Sequence, residues 1–340
     1  MLKVAIVILN WNGKKYLEQF LPVLIQNTKI DNSKIIVADN NSKDDSVVFL
    51  EKNYPKIELI LLDKNYGFTG GYNKAIEQIE AEYFVLLNSD IEVSPNWLAP
   101  LIHTLDSDKT IAACQPKIRS YHNKNQFEYA GASGGFIDKF GYPFCRGRIL
   151  DTIEDDTNQY NTLIDVFWAT GACLVIKTDI YKSIGGLDND FFAHMEEIDL
   201  CWRLKNQGYR VVVNPESEIF HVGGGTLPNN SPYKLYLNYR NNLFLLYKNL
   251  PKGKLFPILF YRMILDGISA MIFLLKFSFA DFTAVIKAHF HFYISLKNLR
   301  YKRKKLLLNK AVNQHKEQYP RSIVFDYFIH KKKTFSKLNF

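Results

Sequence analysis

The sequence predicts an α/β fold with a mainly parallel central sheet and helices on both faces. In residues 1–110, short apolar runs alternate with segments whose apolar residues recur at helical spacing. This alternation favours parallel strands joined by right-handed crossovers. The runs are short and continuously apolar, as expected for strands covered on both faces. Apolar residues make up 47% and charged residues 23% of the chain, which is typical of a globular protein.

Four strand–helix pairs follow one another from the N-terminus. The first apolar run has six residues, too few for a signal-peptide core or a membrane span, and predicts a buried strand. The segment after it predicts a helix, because its leucines and Phe20 fall on one stripe. Residues 116–159 are expected to be irregular. The predicted strands are Val4–Leu9, Lys34–Ala38, Ile57–Leu62 and Tyr83–Leu87, and the predicted helices are Lys14–Gln26, Asp44–Asn53, Gly70–Glu80 and Pro95–Leu105.

Charge is distributed unevenly along the chain. The net charge is +9, yet residues 1–240 carry 24 Lys and Arg against 30 Asp and Glu, and residues 241–340 carry 19 against 4. A basic C-terminal region indicates an anionic partner, either a membrane surface or a nucleic acid. Four cysteines without a CxxC pair exclude a disulfide scaffold and a cysteine-based zinc site.

The C-terminal region predicts amphipathic helices. Its apolar stretch, residues 255–293, is interrupted by charged residues, and its longest uncharged piece, Gly267–Leu275, is too short to span a bilayer. Such helices either lie on a bilayer or pack against the main domain. The basic clusters Lys302–Lys305 and Lys331–Lys333 favour an anionic lipid surface. No nucleic-acid-binding module is recognisable, so no nucleic-acid partner is expected.

Polar residues follow each of the first four predicted strands. The carboxyl ends of parallel strands meet at one edge of a sheet, where ligands of such folds bind. Asn, Asp and Gly are also ordinary turn residues, and each segment alone has a structural explanation. Together they predict a ligand site along one rim. The segments are Asn10–Gly13, Asp39–Asp44, Asn65–Asn73 and Asn88–Asp90.

The glycine-rich segment 67–71 is not a known phosphate-loop motif. No Gly-Lys-Ser/Thr follows it, and no GxGxxG follows the first strand. It still offers backbone N–H groups near a helix start, where a phosphate binds readily. Trp168 suits either a core position or a platform that stacks against a sugar.

Two further clusters contain side chains that could act as a base or bind a metal. Glu196, Glu197 and Asp199 begin a predicted helix that runs to about residue 207. They either stabilise the helix dipole or face a cleft, where a carboxylate with a raised pKa can act as a base. His221 precedes three glycines that predict a flexible segment, and placed opposite Asp90 it would complete a metal site.

Taken in order, these segments resemble glycosyltransferase family 2, the inverting enzymes with a GT-A fold, and most closely its rhamnosyltransferase-like branch. The matching strings span residues 3–242. They are VAIVILNWNG, VADNNSKDDS, NYGFTGGYN, LLNSD, TGACLVI, GGLDNDFFAHMEEIDLCWR, HVGGGT and YRNN. The resemblance implies a GT-A domain over 1–240, with a nucleotide-binding half over 1–110 and an acceptor half over 111–240. Residues 241–340 form the basic helical extension.

The resemblance also implies roles for particular residues. Glu197 occupies the position of the catalytic base. Asp90, in the place of the family's DxD motif, and His221 would hold Mg²⁺ or Mn²⁺ against the diphosphate. The residues implied to bind the nucleotide sugar are Leu9, Asn10 and Trp11 around the nucleotide, Asp39 at the base or ribose, Asn65, Gly71 and Asn73 in the donor pocket, Asn88 and Ser89 beside the metal, and Arg240 at the phosphates.

The chain departs from the family pattern at two positions. Asn88 replaces the first acid of DxD, which leaves metal binding to Asp90 and His221. Glu197 replaces the more usual Asp at the base position and reaches about one methylene further.

The expected function is transfer of a sugar from a nucleoside-diphosphate sugar, dTDP-rhamnose or a UDP-hexose, to a hydroxyl of a glycan or lipid-linked acceptor. Bacterial surface polysaccharide synthesis would use such an enzyme in the cytoplasm, on the inner face of the membrane. The alternatives are a nucleotidyltransferase on a related sheet and a non-catalytic membrane-associated scaffold. The sequence assigns no oligomeric state.

Overall fold

The computed structural model describes residues 1–223, 231–308 and 310–340. The glycines predicted to be flexible after His221, residues 224 and 225, lie outside the described residues. The strands of the described chain are β1 Leu2–Asn10, β2 Ser33–Asp39, β3 Glu58–Leu61, β4 Ala81–Asn88, β5 Ile91–Val93, β6 Ile111–Ser120, β7 Gly135–Asp138, β8 Pro143–Cys145, β9 Arg148–Ile149, β10 Thr152–Ile153, β11 Ile164–Asp165, β12 Cys173–Lys177, β13 Arg210–His221 and β14 Gln318–Tyr319.

The α-helices separate these strands in the first half of the chain and gather in the last third. Two short 3₁₀ turns, Asn189–Phe191 and Phe335–Lys337, complete the described elements. The α-helices are α1 Lys14–Asn27, α2 Ser46–Asn53, α3 Gly67–Ile76, α4 Ala99–Ser107, α5 Thr178–Ser183, α6 Glu196–Asn206, α7 Pro232–Asn249, α8 Lys252–Leu275, α9 Phe279–Leu308 and α10 Ile323–Phe328.

The central sheet has the strand order β11-β13-β6-β12-β4-β1-β2-β3, with β5 paired to β13. The strands β4, β1, β2 and β3 are mutually parallel, as predicted. Beyond β4 the sheet is mixed, because β12 runs antiparallel to both β4 and β6. In β1 every residue from Val4 to Val7 is fully buried, which explains its continuously apolar sequence.

All eight predicted elements of residues 1–110 are confirmed, with shifted ends. The first helix buries Leu17, Phe20, Leu21 and Leu24, the stripe read from the sequence. The third helix starts three residues earlier than predicted, at Gly67. Gly67 has φ +71°, a left-handed conformation that glycine adopts without strain, so the chain turns into the helix there.

The prediction of an irregular segment over 116–159 is wrong. This stretch contains β7 to β10, which form a second sheet in the order β10-β9-β8-β7-β14. Its strands are two to four residues long, too short to show a period of two in the sequence. Gly135 packs against Trp168 so closely that a Cβ atom would lie 2.1 Å from the indole ring. Trp168 therefore belongs to the core, where its Nε1 donates to the Phe136 carbonyl at 2.9 Å.

The last third of the chain packs on the preceding residues through helices and one strand. Helix α7 spans the predicted boundary between residues 240 and 241. Helix α9 packs along α7 and α8. Strand β14 pairs with β7 in the second sheet, so the extension also contributes to a β layer.

Helix α8 differs from a typical helix of a soluble domain, because it buries a charged pair and exposes many apolar residues. It buries Arg262 and Asp266, whose Nε and Oδ1 atoms are 2.7 Å apart. By length and composition it is apolar enough to cross a membrane, with a mean hydropathy of 1.9 over 18 residues and 17% of that window buried. One such helix is weak support for a span. Its exposed apolar residues are Phe256, Phe260, Tyr261, Ile264, Ile268, Met271, Ile272 and Leu275.

The aromatic cluster between the second sheet and the C-terminus leads to a stability prediction. Phe144 is fully buried and contacts Phe136, Tyr319, Phe335 and Phe340. We expect Phe144→Ala to lower the free energy of unfolding by about 3–5 kcal/mol, through lost burial and the cavity left behind. Urea denaturation measures it.

The matched control is Phe256→Ala, at a ring that is 79% exposed. It should change the same free energy by no more than about 0.5 kcal/mol. Equal effects of the two substitutions would contradict a packed interface between the C-terminus and the second sheet.

Candidate active site

The carboxyl ends of three parallel strands bring the predicted rim residues together. Asn10 ends β1 and lies opposite Asp39 at the end of β2. On the other side of β1, Leu9 lies opposite Asn88 at the end of β4. The register therefore places Asn10, Asp39 and Asn88 at one edge of the sheet, as the sequence predicts.

Asn10 and Asp39 form a buried polar pair. Nδ2 of Asn10 donates to Oδ1 of Asp39 at 2.9 Å and to Oγ of Ser42 at 3.1 Å. The Ser42 hydroxyl and backbone N–H donate to Asp39 at 2.6 and 2.9 Å. Oδ1 of Asn10 is buried without a hydrogen-bond partner, and a buried unpaired acceptor is a position that a bound ligand can satisfy.

Helix α3 approaches the rim very closely at Gly71. A Cβ atom on Gly71 would lie 2.7 Å from a methyl carbon of Leu9. Only glycine permits this contact, so Gly71 sets the distance between α3 and β1. Trp11, two residues after Leu9, is 41% exposed at the same edge.

The predicted donor-pocket asparagines are held by the protein itself. Oδ1 of Asn65 accepts from Nδ2 of Asn40 at 3.0 Å and from the N–H of Gly67 at 2.8 Å. Asn73 donates through Nδ2 to the Leu187 carbonyl at 2.7 Å, and its Oδ1 accepts from the Tyr181 hydroxyl at 2.7 Å. Both residues fix the loops that border the site.

Asp90 and His221 come together across the sheet. Strand β5 follows Asp90 and pairs with the end of β13, opposite His221. Oδ1 of Asp90 lies 3.2 Å from Nε2 of His221. On its other side, Nδ1 of His221 lies 3.3 Å from Oε1 of Glu128, an ion-pair contact without hydrogen-bond alignment. All three residues are buried.

The charges of this triad perturb one another. Burial acts to lower the pKa of His221, but the carboxylates of Glu128 and Asp90 outweigh it and raise the pKa to about 10. Burial acts to raise the pKa of Asp90, but the charge of His221 outweighs it and holds the pKa below its usual value. Without a further ligand, His221 is an imidazolium between two carboxylates.

The donor set at Asp90 and His221 fits a divalent cation. Adjacent ligands about 2.1 Å from an octahedral cation lie roughly 3 Å apart, close to the observed 3.2 Å between Oδ1 and Nε2. Glu128 stands where a carboxylate commonly orients the other nitrogen of a metal-binding histidine. Among the described residues no group of three His, Cys, Asp or Glu is arranged to hold a metal alone, so substrate oxygens would have to complete the coordination.

Two adjacent acids begin α6. Oε2 of Glu196 and Oε2 of Glu197 are shielded from solvent and have no hydrogen-bond partner. Burial raises the pKa of Glu197 to about 7, against an opposing contribution from backbone N–H groups at the helix start. Burial and the neighbouring charge of Glu197 raise the pKa of Glu196 well above its usual value. Of the two interpretations of the sequence, this geometry favours an acid poised as a base over a simple helix cap.

Glu196, the first of these acids, lies next to the rim. The backbone N–H of Asn88 donates to the carbonyl of Ala172 at 2.9 Å. One residue earlier, a Cβ atom on Gly171 would lie 3.9 Å from Oε1 of Glu196 and 3.1 Å from Phe68 of α3. The turn before β12 therefore joins the end of β4 to the start of α6.

The loop before α6 is held in an unusual conformation. Phe192, His194 and Met195 have φ angles of 65°, 67° and 70°, which non-glycine residues rarely adopt. Arg240 donates to the carbonyls of Asp190 and Phe191 at 3.0 Å each. Its guanidinium thus supports this loop in the structure, whereas its predicted phosphate contact stays a prediction.

Sequence reasoning missed several residues that the structure brings to the site. Glu128 is the only charged residue between Lys124 and Asp138, a signal that could have identified it. Asn40 is buried at the rim and accepts from the N–H of Tyr66 at 2.9 Å. Nε2 of His194 is buried without a hydrogen-bond partner, and burial lowers the pKa of this residue to about 4.

Comparison with known proteins gives the family. The sequence model of glycosyl transferase family 2 matches residues 5–185, more than half of the chain. The chain belongs to this family, and the resemblance read from its motifs is confirmed. This family assignment makes the chain a glycosyltransferase and excludes the alternative of a nucleotidyltransferase.

Relatives with assigned activities lie in the predicted branch. The N-acetylglucosaminyl-diphospho-decaprenol L-rhamnosyltransferase of Mycobacterium tuberculosis is 25% identical over 234 residues, which cover 64% of this chain and 75% of the relative. The rhamnosyltransferase WbbL of Escherichia coli is 24% identical over 64% of this chain and 83% of its own length. The chain is a family 2 glycosyltransferase with rhamnosyltransferase-like relatives in surface glycan synthesis.

Solved structures confirm the GT-A fold. GalNAc-T7, solved with UDP, GalNAc and Mn²⁺, superposes with a TM-score of 0.57 at 17% identity. The match covers 73% of this chain and 48% of that structure's chain. The mannosyltransferase PcManGT of Pyrobaculum calidifontis, solved with GDP-Man and Mn²⁺, has a TM-score of 0.52 at 14% identity and covers 90% of this chain and 85% of its own.

Proposed function

We propose that this chain is an inverting glycosyltransferase that moves a sugar from a nucleoside-diphosphate sugar to a hydroxyl of a glycan or lipid-linked acceptor. The observation that carries the proposal is the carboxylate of Glu197, whose Oε2 is shielded and unpartnered next to Glu196, the acid that borders the turn before β12. With a pKa of about 7, this group is basic enough to accept a proton and is substantially ionised at neutral pH.

The mechanism follows from one displacement. Glu197 takes the proton of the acceptor hydroxyl as its oxygen attacks the anomeric carbon, and the nucleoside diphosphate leaves from the opposite face. General-base assistance of this kind contributes about 10²–10⁴ in rate. A single displacement inverts the anomeric centre, so no covalent enzyme nucleophile is needed. Burial and the charge of Glu197 raise the pKa of Glu196 well above its usual value, so Glu196 stays neutral beside the base.

Asp90 and His221 are the residues that would hold Mg²⁺ or Mn²⁺. A divalent cation supplies stabilisation of the negative charge that grows on the departing diphosphate. The 3.2 Å separation of Oδ1 and Nε2 supports the assignment. Hard oxygen ligands suit both cations, and the imidazole leans towards Mn²⁺. Asn88 and Ser89, which stand before Asp90 where the rim meets this pair, would contact the donor beside the cation.

The nucleoside part of the donor would lie along the rim. The unpaired Oδ1 of Asn10 and the Asp39 carboxylate offer acceptors for base or ribose, and Leu9 and the exposed Trp11 offer apolar contact. Asn65, Gly71 and Asn73 shape the donor side by fixing α3 and its flanking loops. The names of the relatives support dTDP-rhamnose as donor, while UDP-hexoses suit the same motifs.

We also propose that α8 and α9 dock this enzyme on a membrane surface, consistent with a lipid-linked acceptor and a place on the cytoplasmic inner face. Helix α8 supports this, because its apolar side faces outward. Asp266 and Asp326 are buried, Glu317 pairs with Lys205, and only Asp281 is left among the acids of residues 241–340. The exposed charge of this region is therefore strongly positive, as anionic lipids require.

The base assignment is tested with Glu197→Gln. We expect transfer to fall by about 10²–10⁴, because an amide cannot accept the proton, while nucleotide binding measured by calorimetry stays within about twofold. Burial raises the pKa of this group above its ordinary value, so the wild-type kcat/KM should rise with pH through about 7 and then level off. Glu216→Gln, at an exposed site on β13, is the matched control. Transfer that survives in Glu197→Gln would remove Glu197 from the base role.

The metal site is tested with Asp90→Ala. Loss of one of two protein ligands should weaken Mn²⁺-dependent donor binding by about 10–100-fold and leave metal-free binding unchanged. Titration of the nucleotide sugar with and without Mn²⁺ measures both. The exposed Asp179→Ala should behave as wild type, and an unchanged metal dependence in Asp90→Ala would exclude Asp90 from the site.

Membrane docking is tested by vesicle flotation of the full chain. We expect wild type to float with phosphatidylglycerol-containing vesicles and less with pure phosphatidylcholine, since both apolar and electrostatic contacts contribute. Ile268→Asp, on the exposed face of α8, should reduce flotation. Val48→Asp, at a residue of α2 that is more exposed than Ile268, should not. Equal flotation of both variants, or tight DNA binding in a mobility-shift assay, would contradict this surface.

A further inference from the structure

We infer that Lys302 and Asn298 of α9, together with Lys248 of α7, are positioning residues for the proposed base. The inference rests on the proposed function, because it concerns the loop that leads into Glu197. That loop, residues 188–195, is called the base loop below. Lys248, Asn298 and Lys302, which hold the side chains of this loop, lie outside the strings that match the family.

Helix α9 contacts the base loop through two side chains. Nζ of Lys302 lies 2.5 Å from Oδ1 of Asp188 and 2.6 Å from Oδ2 of Asp190. Nδ2 of Asn298 donates to the same oxygen of Asp190 at 2.6 Å. Asn298 and Lys302 are four residues apart, so they project from one face of the helix and act on one site.

Lys248 joins the base loop to the helix that carries the base. Its Nζ is paired with Asp188 in the loop and lies 2.9 Å from Oδ2 of Asp199 in α6. Asp199 stands two residues after Glu197. The same ammonium therefore bridges the start of the loop and the first turn of α6, and Lys302 is attached to this bridge through Asp188.

The base loop needs external support to keep its shape. Three of its residues adopt left-handed backbone conformations that only surrounding contacts can maintain. Arg240 and Asn241 of α7 hold its backbone carbonyls, and α9 holds its carboxylates. A shift of about 1 Å at a catalytic group can reduce a rate by about 10²-fold. The contacts of α9 thus bear on where Glu197 stands, beyond their contribution to stability.

The exposure of the Lys302 contacts helps to distinguish a positioning role from a contribution to the stability of the fold. The Lys302 side chain is 28% exposed and the Asp190 side chain 29% exposed. Partly exposed ion pairs add little to the stability of a fold. The other partner of Lys302, Asp188, is 10% exposed and keeps its pairing with Lys248 when Lys302 is replaced, so we expect the chain to stay folded. A structural role alone would leave turnover unchanged, whereas a positioning role lowers it.

The experiment compares Lys302→Met with wild type in a transfer assay. We expect kcat to fall by about 10–100-fold while the KM for the donor and the affinity for the nucleotide stay within about twofold. Lys302→Arg should recover most of the rate, because it restores the charge. Asn298→Asp, at an exposed position, places a carboxylate against Asp190 and should lower kcat in the same way. Lys3→Met breaks the exposed 2.9 Å pair with Asp106 and serves as the matched control with wild-type kinetics.

Hydrogen exchange provides a readout that does not need activity. Amides of residues 188–197 should exchange faster in Lys302→Met and Asn298→Asp than in wild type and Lys3→Met. Wild-type kcat in both α9 variants, or an equal loss of kcat and nucleotide affinity, would overturn the inference. If wild type transfers no sugar from any nucleotide donor, the proposed function fails, and unchanged exchange in the variants would then overturn the positioning role separately.

Discussion

The buried pairing of Asp199 with Lys248 and Arg203 determines what the other acids of α6 can do. Asp199 is fully buried, with Nε of Arg203 2.8 Å and Nζ of Lys248 2.9 Å from its carboxylate. Burial acts to raise the pKa of Asp199, and the two cations outweigh it and lower the pKa. Both cations pair with Asp199, whereas burial raises the pKa of Glu197 to about 7, and burial and the charge of Glu197 raise the pKa of Glu196 well above its usual value. Three acids within one turn of helix thus acquire different chemistry from the placement of two cations.

This arrangement joins the C-terminal helices to the catalytic half. Lys248 and Arg240 lie in α7 and Lys302 in α9, and all three contact the segment that precedes the base. The same layer includes α8, whose outward face is apolar. The elements that would contact lipid and those that hold the base loop are therefore packed side by side.

The sequence predicted local features well and long-range ones poorly. The four parallel strands and the polar rim could be identified because their signals lie within a few consecutive residues. Lys248 and Lys302 could not, since nothing near them in the sequence shows that they pair with Asp188. The second sheet was missed because its strands are too short for a period, and the proposed boundary at residue 240 falls inside α7 because helical patterning does not mark where a helix docks.

The triad of Asp90, His221 and Glu128 would allow a site with one acid in place of two to accept a diphosphate. With His221 protonated, the triad carries a net charge of about −1, which repels a phosphate. Exchange of that proton for a divalent cation would leave His221 neutral and bring the triad to about zero. The carboxylates that raise the pKa of His221 are also the groups that would retain the cation. With Asn88 in place of the first acid, less negative charge would face the donor, and Glu128 would supply part of that charge behind the imidazole, where it would orient a ligand without opposing the substrate.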